Sequence, residues 1–142
     1  MNIRRASFAL RVVRRRGGDA AILYRRRLTG KGEERLDRVA ATSPLAFSAS
    51  QSLLRAAVRA NSGPIAKLTY GPFHPLDDDW GARVAAFALI SRGLRNADRL
   101  HRAALHLQHA DGTEAAWWLG LMEKSGGLRA VRALRILLEA VK

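Results

Sequence analysis

Apolar side chains recur at every second position near the start of the chain. Between Phe8 and Val13 they follow the two-residue period of a half-buried β-strand. A second run of this kind extends from Ala20 to Leu28, and Gly17-Gly18-Asp19 between the runs supplies the residues of a tight turn. The pattern predicts a β-hairpin. The following segment, Arg35 to Ala41, is compatible with a third strand or with a short helix.

Helical spacing begins after this region. Ser43-Pro44 is typical of a helix start, with serine as the cap and proline at the first helical position. We expect this helix to reach about Ala60 and to stop at Asn61-Ser62-Gly63-Pro64. A short apolar run from Ile65 to Tyr70, bounded by Pro64 and Gly71-Pro72, predicts one more strand. The residues expected to be buried by the helix are Leu45, Phe47, Leu53, Leu54 and Val58.

The second half of the chain has helical spacing almost throughout. Asp77-Asp78-Asp79 precede the first of these helices, and Asn96 or Asp98 opens the next. Asp111 and Glu114 have the spacing of a capping box, which predicts a third helix. The fourth extends from Leu128 to Val141, and its predicted apolar stripe consists of Leu128, Val131, Leu134 and Leu138.

These elements predict an α+β fold. A small N-terminal antiparallel β-sheet, built on the hairpin and accompanied by a helix, occupies residues 1–72. A C-terminal bundle of about four helices occupies residues 73–142. At 142 residues the chain is long enough to bury a core without disulfides or metals, and we expect the two regions to form one compact unit.

The charge of the chain changes what the first region is expected to do. The sequence has 25 Lys+Arg against 12 Asp+Glu, which gives a net charge of +13. Residues 1–71 account for +11 of it and residues 72–142 for +2. A field of one sign on this scale repels itself and is usually balanced by a polyanion. The imbalance indicates a nucleic-acid-binding half and a supporting half.

Two arginine triplets, Arg14-Arg15-Arg16 and Arg25-Arg26-Arg27, dominate the basic half. In a hairpin that turns at Gly17-Gly18, we expect the first triplet at the tip and the second close by, further down the ribbon. Such a ribbon fits the DNA major groove or lies along an RNA backbone; the alternative is that the charges only protect a sheet edge. The predicted nucleic-acid contacts are Arg11, Arg14, Arg15, Arg16, Arg25, Arg26, Arg27, Lys31 and Arg35.

Base stacking is not expected from the sequence. The aromatic residues near the triplets are Phe8 and Tyr24, too few for a stacking platform, so we expect contacts to the phosphate backbone. A helix-turn-helix on residues 97–109 and 112–124 is a weaker alternative, because its recognition helix has Lys124 as its only base. An antiparallel helix pair explains those two segments better.

A protein partner is expected at the helical half. Trp117 and Trp118 are adjacent and point about 100° apart on a helix, so we expect one in the core and the other on a partner. Arg129 and Arg132 belong to a stripe with Arg135 beside the apolar face of the last helix. Contact with a partner subunit, an extended nucleic-acid surface and a solvated face all explain that stripe.

Residues for catalysis or a cofactor are not apparent. The chain has no cysteine, no Gly-x-Ser-x-Gly and no phosphate-binding glycine loop. His101, His106 and His109 lack the spacing of a zinc site, and His74 with the three aspartates resembles a magnesium cluster only superficially. No apolar run reaches membrane-spanning length, so we expect no membrane binding. Because residues for catalysis, a metal or a cofactor are not apparent either, we expect a cytoplasmic, non-enzymatic protein that binds no cofactor, metal or small-molecule substrate.

Three segments of the chain resemble an uncharacterised family of small bacterial proteins. They are Trp80-Gly-Ala-Arg-Val-Ala-Ala-Phe-Ala-Leu, Glu114-Ala-Ala-Trp-Trp-Leu-Gly-Leu-Met and Arg132-Ala-Leu-Arg-Ile-Leu. The family's genes lie beside those of phage-defence systems, so the resemblance implies an accessory subunit of a DNA-targeting assembly. It transfers no functional residues. The alternative is an interaction subunit whose basic face binds an acidic protein.

Overall fold

The structure, a computed structural model, describes residues 7–65 and 68–140. It confirms the predicted α+β class: three strands of a four-stranded antiparallel sheet precede the helices, and the fourth strand follows the second helix. The strands are β1 (Phe8–Arg15), β2 (Gly18–Leu28), β3 (Glu34–Ala41) and β4 (Phe73–Leu76). The helices are α1 (Pro44–Ala49), α2 (Gln51–Ser62), α3 (Asp78–Ser91), α4 (Ala97–His109), α5 (Gly112–Ser125) and α6 (Gly127–Ala140).

The predicted hairpin is present as the central pair of the sheet, whose strand order is β3-β2-β1-β4. β1 pairs with β2 from Phe8 opposite Arg25 to Arg15 opposite Gly18. Gly17 and Gly18 form the turn at φ of 92° and 136°, a region that glycine enters without steric cost. The segment that was compatible with strand or helix is the strand β3, which pairs with β2.

The prediction of a strand over Ile65–Tyr70 is wrong for the described residues of that segment. Positions 66 and 67 lie outside the described residues, and Tyr70 forms only an isolated bridge to Val12. The fourth strand is β4 instead, three residues further on, and it pairs with β1. Gly71, at φ 94°, redirects the chain between the two. Pro75 is tolerated inside β4 because this is an edge strand with one side free of ladder hydrogen bonds.

The single helix predicted from Pro44 to Ala60 is two helices, with a break at Ser50. Ser43 caps α1 as predicted, its hydroxyl accepting from the Ala46 N–H at 3.1 Å. Ser50 is buried, and its hydroxyl donates to the Ala46 carbonyl at 2.6 Å. That side chain competes with the backbone for a helical acceptor, which explains the break. Leu45, expected in the core, is 40% exposed, because α1 faces the core with Ala46 and Phe47 instead.

The four helices predicted in the second half are confirmed as α3 to α6. Asp77 caps α3 and Asp111 caps α5, each accepting a backbone N–H with its carboxylate. Asn96 caps α4 in the same way. The apolar stripe of α6 is partly wrong. Its buried residues are Ala133, Leu134 and Leu137, whereas Leu128 lies in the first turn and is 80% exposed.

The core consists of two clusters that share helix α3. One lies between the helices and includes Phe87, Leu100, Leu107 and Trp118. The other lies between the sheet and α1, α2 and α3, and it extends across the boundary expected at residues 72 and 73, since Leu10 and Val84 both belong to it. In the described part of the chain, no helix has the length and hydrophobicity needed to cross a membrane.

Candidate nucleic-acid interface

The two faces of the sheet differ in what covers them. Successive side chains of a strand point to opposite faces. Phe8, Leu10 and Val12 of β1 point inward and belong to the cluster beneath α1, α2 and α3. Their neighbours point outward, and no side chain of that outward set belongs to either core cluster. We call this second surface the outer face. Its members are Ala9, Arg11, Val13, Arg15, Ala20, Ile22, Tyr24, Arg26, Leu28, Glu34, Leu36, Arg38, Ala41, Phe73 and Pro75, of which Ala9, Ala20 and Ile22 are buried.

Two aromatic rings lie at the centre of the outer face. Tyr24 of β2 is directly opposite Ala9 of β1, and Phe73 enters from β4 on the other side of β1. The ring centroids are 5.4 Å apart with planes at 70°, an edge-to-face contact. Ala9 is buried beneath them, and its small side chain leaves the space in which the rings meet. Phe73 remains 45% exposed, so solvent reaches this ring.

Arg11 extends this aromatic centre towards the hairpin tip. Its guanidinium carbon lies 5.2 Å from the centroid of Phe73, within cation–π range. Its Nε atom is buried and donates no hydrogen bond, and the group forms no ion pair within the described residues. Arg38, on the neighbouring strand β3 opposite Tyr24, is exposed and also unpaired there. The rings are therefore flanked by cations on both sides.

The hairpin tip carries the first arginine triplet. The guanidinium of Arg14 lies over the ring of Tyr70 at 4.8 Å, and the Tyr70 hydroxyl donates to the carboxylate of Asp19. A hydrogen bond from the guanidinium to that hydroxyl raises the pKa of Arg14 above its ordinary value, which keeps the group charged. Arg15 and Arg16 are exposed and form no ion pair within the described part of the chain.

The second triplet is largely occupied by partners. Arg26 contacts Glu34 at 2.6 Å, and Arg27 contacts Asp37 at 3.3 Å. Arg35 approaches the same Asp37 at 4.0 Å, while Arg25 lies over the ring of Phe8 at 5.8 Å. Lys31 is exposed in the turn between β2 and β3. Exposed ion pairs of this kind contribute little stability, but they lower the positive field at this end of the sheet.

The distance between the triplets corrects one expectation. Arg14 is opposite Asp19 and Arg25 is opposite Phe8, six residues away along the ladder, or about 20 Å at 3.4 Å per residue. The triplets therefore lie at opposite ends of the hairpin and not close together. β3 and β4 flank the half of the hairpin ladder that runs from Phe8 to Arg11 on β1, so the tip beyond Arg11 is paired with neither of them. The two-stranded ribbon that could enter a groove is therefore shorter than the whole hairpin.

Three residues of this surface were missed from the sequence. Phe73, Tyr70 and Arg38 lie among the predicted arginines, although the first two are far from the triplets in the chain. Proximity in sequence identifies Phe8 and Tyr24 as the aromatic residues near the triplets. It does not identify Phe73, which lies near Arg11 because β4 pairs with β1. The apolar residues between Gly71 and Asp77 were the available signal, but Pro72 and Pro75 obscured their strand character.

The residues predicted to contact a protein partner lie on α5 and α6, which contribute no residue to the outer face. Trp118 is 6% exposed and belongs to the helical cluster, so it is a core residue. Trp117, edge-to-face with it at 4.9 Å, is 60% exposed. Arg129 and Arg132 are exposed on α6, which packs against α3, α4 and α5. Of the two tryptophans, only Trp117 is accessible to a partner.

The histidines and aspartates considered for a metal have separate contacts. The His106 imidazole pairs with Glu114 at 3.0 Å, and His101 contacts the Ala49 carbonyl at 3.3 Å. Asp77 accepts from the Trp80 N–H at 2.8 Å, as expected for a helix cap. Across residues 7–65 and 68–140, no group of three His, Cys, Asp or Glu side chains has a metal-binding arrangement.

Comparison with known proteins gives a family. A family model described as a domain of unknown function, DUF7680, matches residues 8–140. The match begins at the first residue of β1 and ends at the last residue of α6, so it covers both the sheet and the helices. No curated protein and no solved structure matches the chain.

Proposed function

We propose that this chain, which belongs to the DUF7680 family of domains of unknown function, is a non-enzymatic, cytoplasmic protein that binds nucleic acid. The arginines of the hairpin tip and of the outer face would contact the phosphate backbone. A role as an accessory subunit in phage defence is what the resemblance of the helical segments implies. That setting stays a prediction.

One observation carries the proposal: within the described residues, Arg15 and Arg16 at the tip form no ion pair. The chain places Arg26 and Arg27 against carboxylates, but it leaves Arg15 and Arg16 exposed without an ion pair in the described residues. Guanidinium groups crowded beside a turn repel one another, and a polyanion removes that repulsion. Protection of a sheet edge explains the exposed arginines of the tip less well, because the tip is a turn and the edge strands of the sheet are β3 and β4.

Binding should be measured by fluorescence anisotropy with labelled DNA and RNA over a salt series. In the test variant, Arg14, Arg15 and Arg16 are each replaced by glutamine. We expect much weaker binding and a salt slope reduced by about two to three units, at about 0.7 per phosphate for single strands and 0.9 for duplexes. Affinity that does not change with salt in the wild type would refute the proposal.

The matched control changes the same number of charges elsewhere. Arg129, Arg132 and Arg135 are exposed on α6, so their replacement by glutamine alters the net charge equally while leaving the sheet intact. We expect this variant to bind nearly as wild type. If both triple variants lose affinity to the same extent, net charge rather than the hairpin tip governs binding, and the assigned surface is wrong.

Binding to an acidic protein is the second candidate function, favoured by exposed apolar residues on the helices. Leu128 and Ile136 are exposed on α6 and are separated by two turns, with Arg132 between them. Exposed apolar side chains beside cations suit a protein partner. Polyglutamate, used as a competitor, distinguishes the two candidate functions. If polyglutamate displaces the oligonucleotide at an equal concentration of negative charge, the result favours an acidic protein over nucleic acid as the partner.

A further inference from the structure

We infer that the nucleic acid is an unpaired strand, whose bases stack on Tyr24 and Phe73 of the outer face. This inference rests on the proposed function and adds the substrate class to it. The carrying observation is the juxtaposition of two aromatic rings and unpaired guanidinium groups on the outer face of the sheet, where Phe73 is exposed and Tyr24 is half-buried.

The two rings pack on each other and cover Ala9, but this contact leaves part of their surface accessible. Neither Tyr24 nor Phe73 belongs to a core cluster, and Phe73 is nearly half exposed. An exposed aromatic ring leaves apolar surface in water, which folding alone does not favour. Bases of single strands stack on aromatic side chains irrespective of sequence, because every base has a π-face. The rings therefore supply what a non-specific single-strand site requires.

The cations around the rings complete such a site. A guanidinium plane stacks on bases as aromatic rings do, and its outer N–H groups reach phosphate oxygens. The guanidinium of Arg11 lies 5.2 Å from the centroid of Phe73, while Arg15 follows on the same face of β1 towards the tip. Arg38 lies on the far side of Tyr24. A strand that crosses the outer face would meet Phe73 beside Arg11, and then Tyr24 beside Arg38.

A duplex fits this surface poorly. Paired bases are stacked on one another and present only their edges in the grooves, so their faces cannot reach Tyr24 or Phe73. The two-stranded tip that could enter a groove is short, because β3 and β4 flank the remainder of the hairpin. The outer face thus favours unpaired bases over paired ones.

The test compares a labelled single strand of about 12 nucleotides, within the site sizes of small single-strand-binding domains, with a duplex of equal length. Oligothymidylate and oligouridylate serve as separate probes, so that DNA and RNA are distinguished. We expect the single strand to bind at least about tenfold more tightly than the duplex. Phe73→Leu and Tyr24→Leu should each weaken single-strand binding about tenfold, within the range for loss of one stacked base. Their salt slopes should stay unchanged, because no phosphate contact is removed.

Trp117→Leu is the matched control, because it removes an exposed aromatic ring on α5, outside the outer face. It should bind as wild type. Equal affinity for duplex and single strand, or full affinity of Phe73→Leu, would overturn the inference. In that case the loss of binding in the tip-triplet variant would still support the proposed function. Absence of salt-dependent binding to every probe would overturn both.

Photocrosslinking of the wild-type protein keeps the test decisive if a ring variant fails to fold. A 4-thiouridine oligonucleotide is irradiated in the complex, and the attached peptides are identified by mass spectrometry. Crosslinks to peptides that contain Tyr24 or Phe73 would support stacking on the outer face. Crosslinks confined to α4, α5 and α6 would refute it.

Discussion

Gly81 of α3 lies against the sheet, and its replacement by alanine should destabilise the protein. A Cβ at this position would lie 2.1, 2.4 and 2.7 Å from three ring atoms of Phe8. Contacts this short cannot persist, and the Phe8 ring has little room to move because it is buried in the cluster beneath the sheet. The variant therefore tests the packing of α3 on the inner face, the contact that leaves the outer face free.

The expected magnitude follows from two opposing effects. Alanine in a helix interior is favoured over glycine by about 0.5–1 kcal/mol. Overpacking of a buried site costs about 1–3 kcal/mol, and a clash with three ring atoms belongs at the upper end of that range. We expect Gly81→Ala to lower the free energy of unfolding by about 2 kcal/mol, the difference between these effects.

Gly120 of α5 provides the matched control. A Cβ there meets no atom within 4 Å, so Gly120→Ala should raise the free energy of unfolding by about 0.5–1 kcal/mol. The assay is urea unfolding followed by tryptophan fluorescence, for which Trp80, Trp117 and Trp118 are native probes. Two identical substitutions in two helices should thus shift stability in opposite directions.

A double variant isolates the clash. Phe8→Leu replaces the flat ring with a smaller, more adaptable side chain, so Gly81→Ala in this background should cost much less than in wild type. The double-mutant cycle should give a coupling of at least about 1 kcal/mol between the two positions. If Gly81→Ala unfolds at the same or a higher urea concentration than wild type, the packing of Phe8 against α3 is not as described.

Two further predictions concern contacts that hold the elements in place. Asp77→Ala removes the carboxylate that accepts the Trp80 N–H and should cost about 1 kcal/mol of stability in thermal unfolding; Asp78→Ala, which changes the same charge without removing the cap, should cost less than half as much. Thr42→Val leaves the buried Ala21 N–H without its acceptor at 2.9 Å and should cost about 1–3 kcal/mol. Thr42→Ser keeps that acceptor, so a loss of the same size in the serine variant would contradict the assignment.

Much of the secondary structure follows from local signals. The hairpin is specified by two alternating runs and by a diglycine turn whose φ angles favour glycine. Asp77 and Asp111 cap their helices through contacts with residues only three positions away, so the sequence pattern contains both partners. The same locality explains the errors. Ser50 does not interrupt the helical spacing of the sequence, but it is buried and its hydroxyl donates to a carbonyl of α1.

The candidate site was predictable only in part. The excess of arginine near the hairpin turn is a property of the sequence, and the tip triplet lies where the turn places it. Neutralisation of the second triplet depends on β3, because the pairing of β2 with β3 brings Glu34 and Asp37 to Arg26 and Arg27. The sequence does not predict the pairing of β2 with β3, because the segment Arg35 to Ala41 is compatible with a strand or with a short helix.

The sequence by itself determined the positive charge, the hairpin and the helices, because each depends on composition or on residues a few positions apart. The tertiary structure decided which face of the sheet the helices cover and which side chains the other face presents. Phe73 reaches Tyr24 only because β4 pairs with β1 in one register, and a shift of one residue would turn this ring to the opposite face. Backbone hydrogen bonds between distant segments set that register, and local sequence does not encode it.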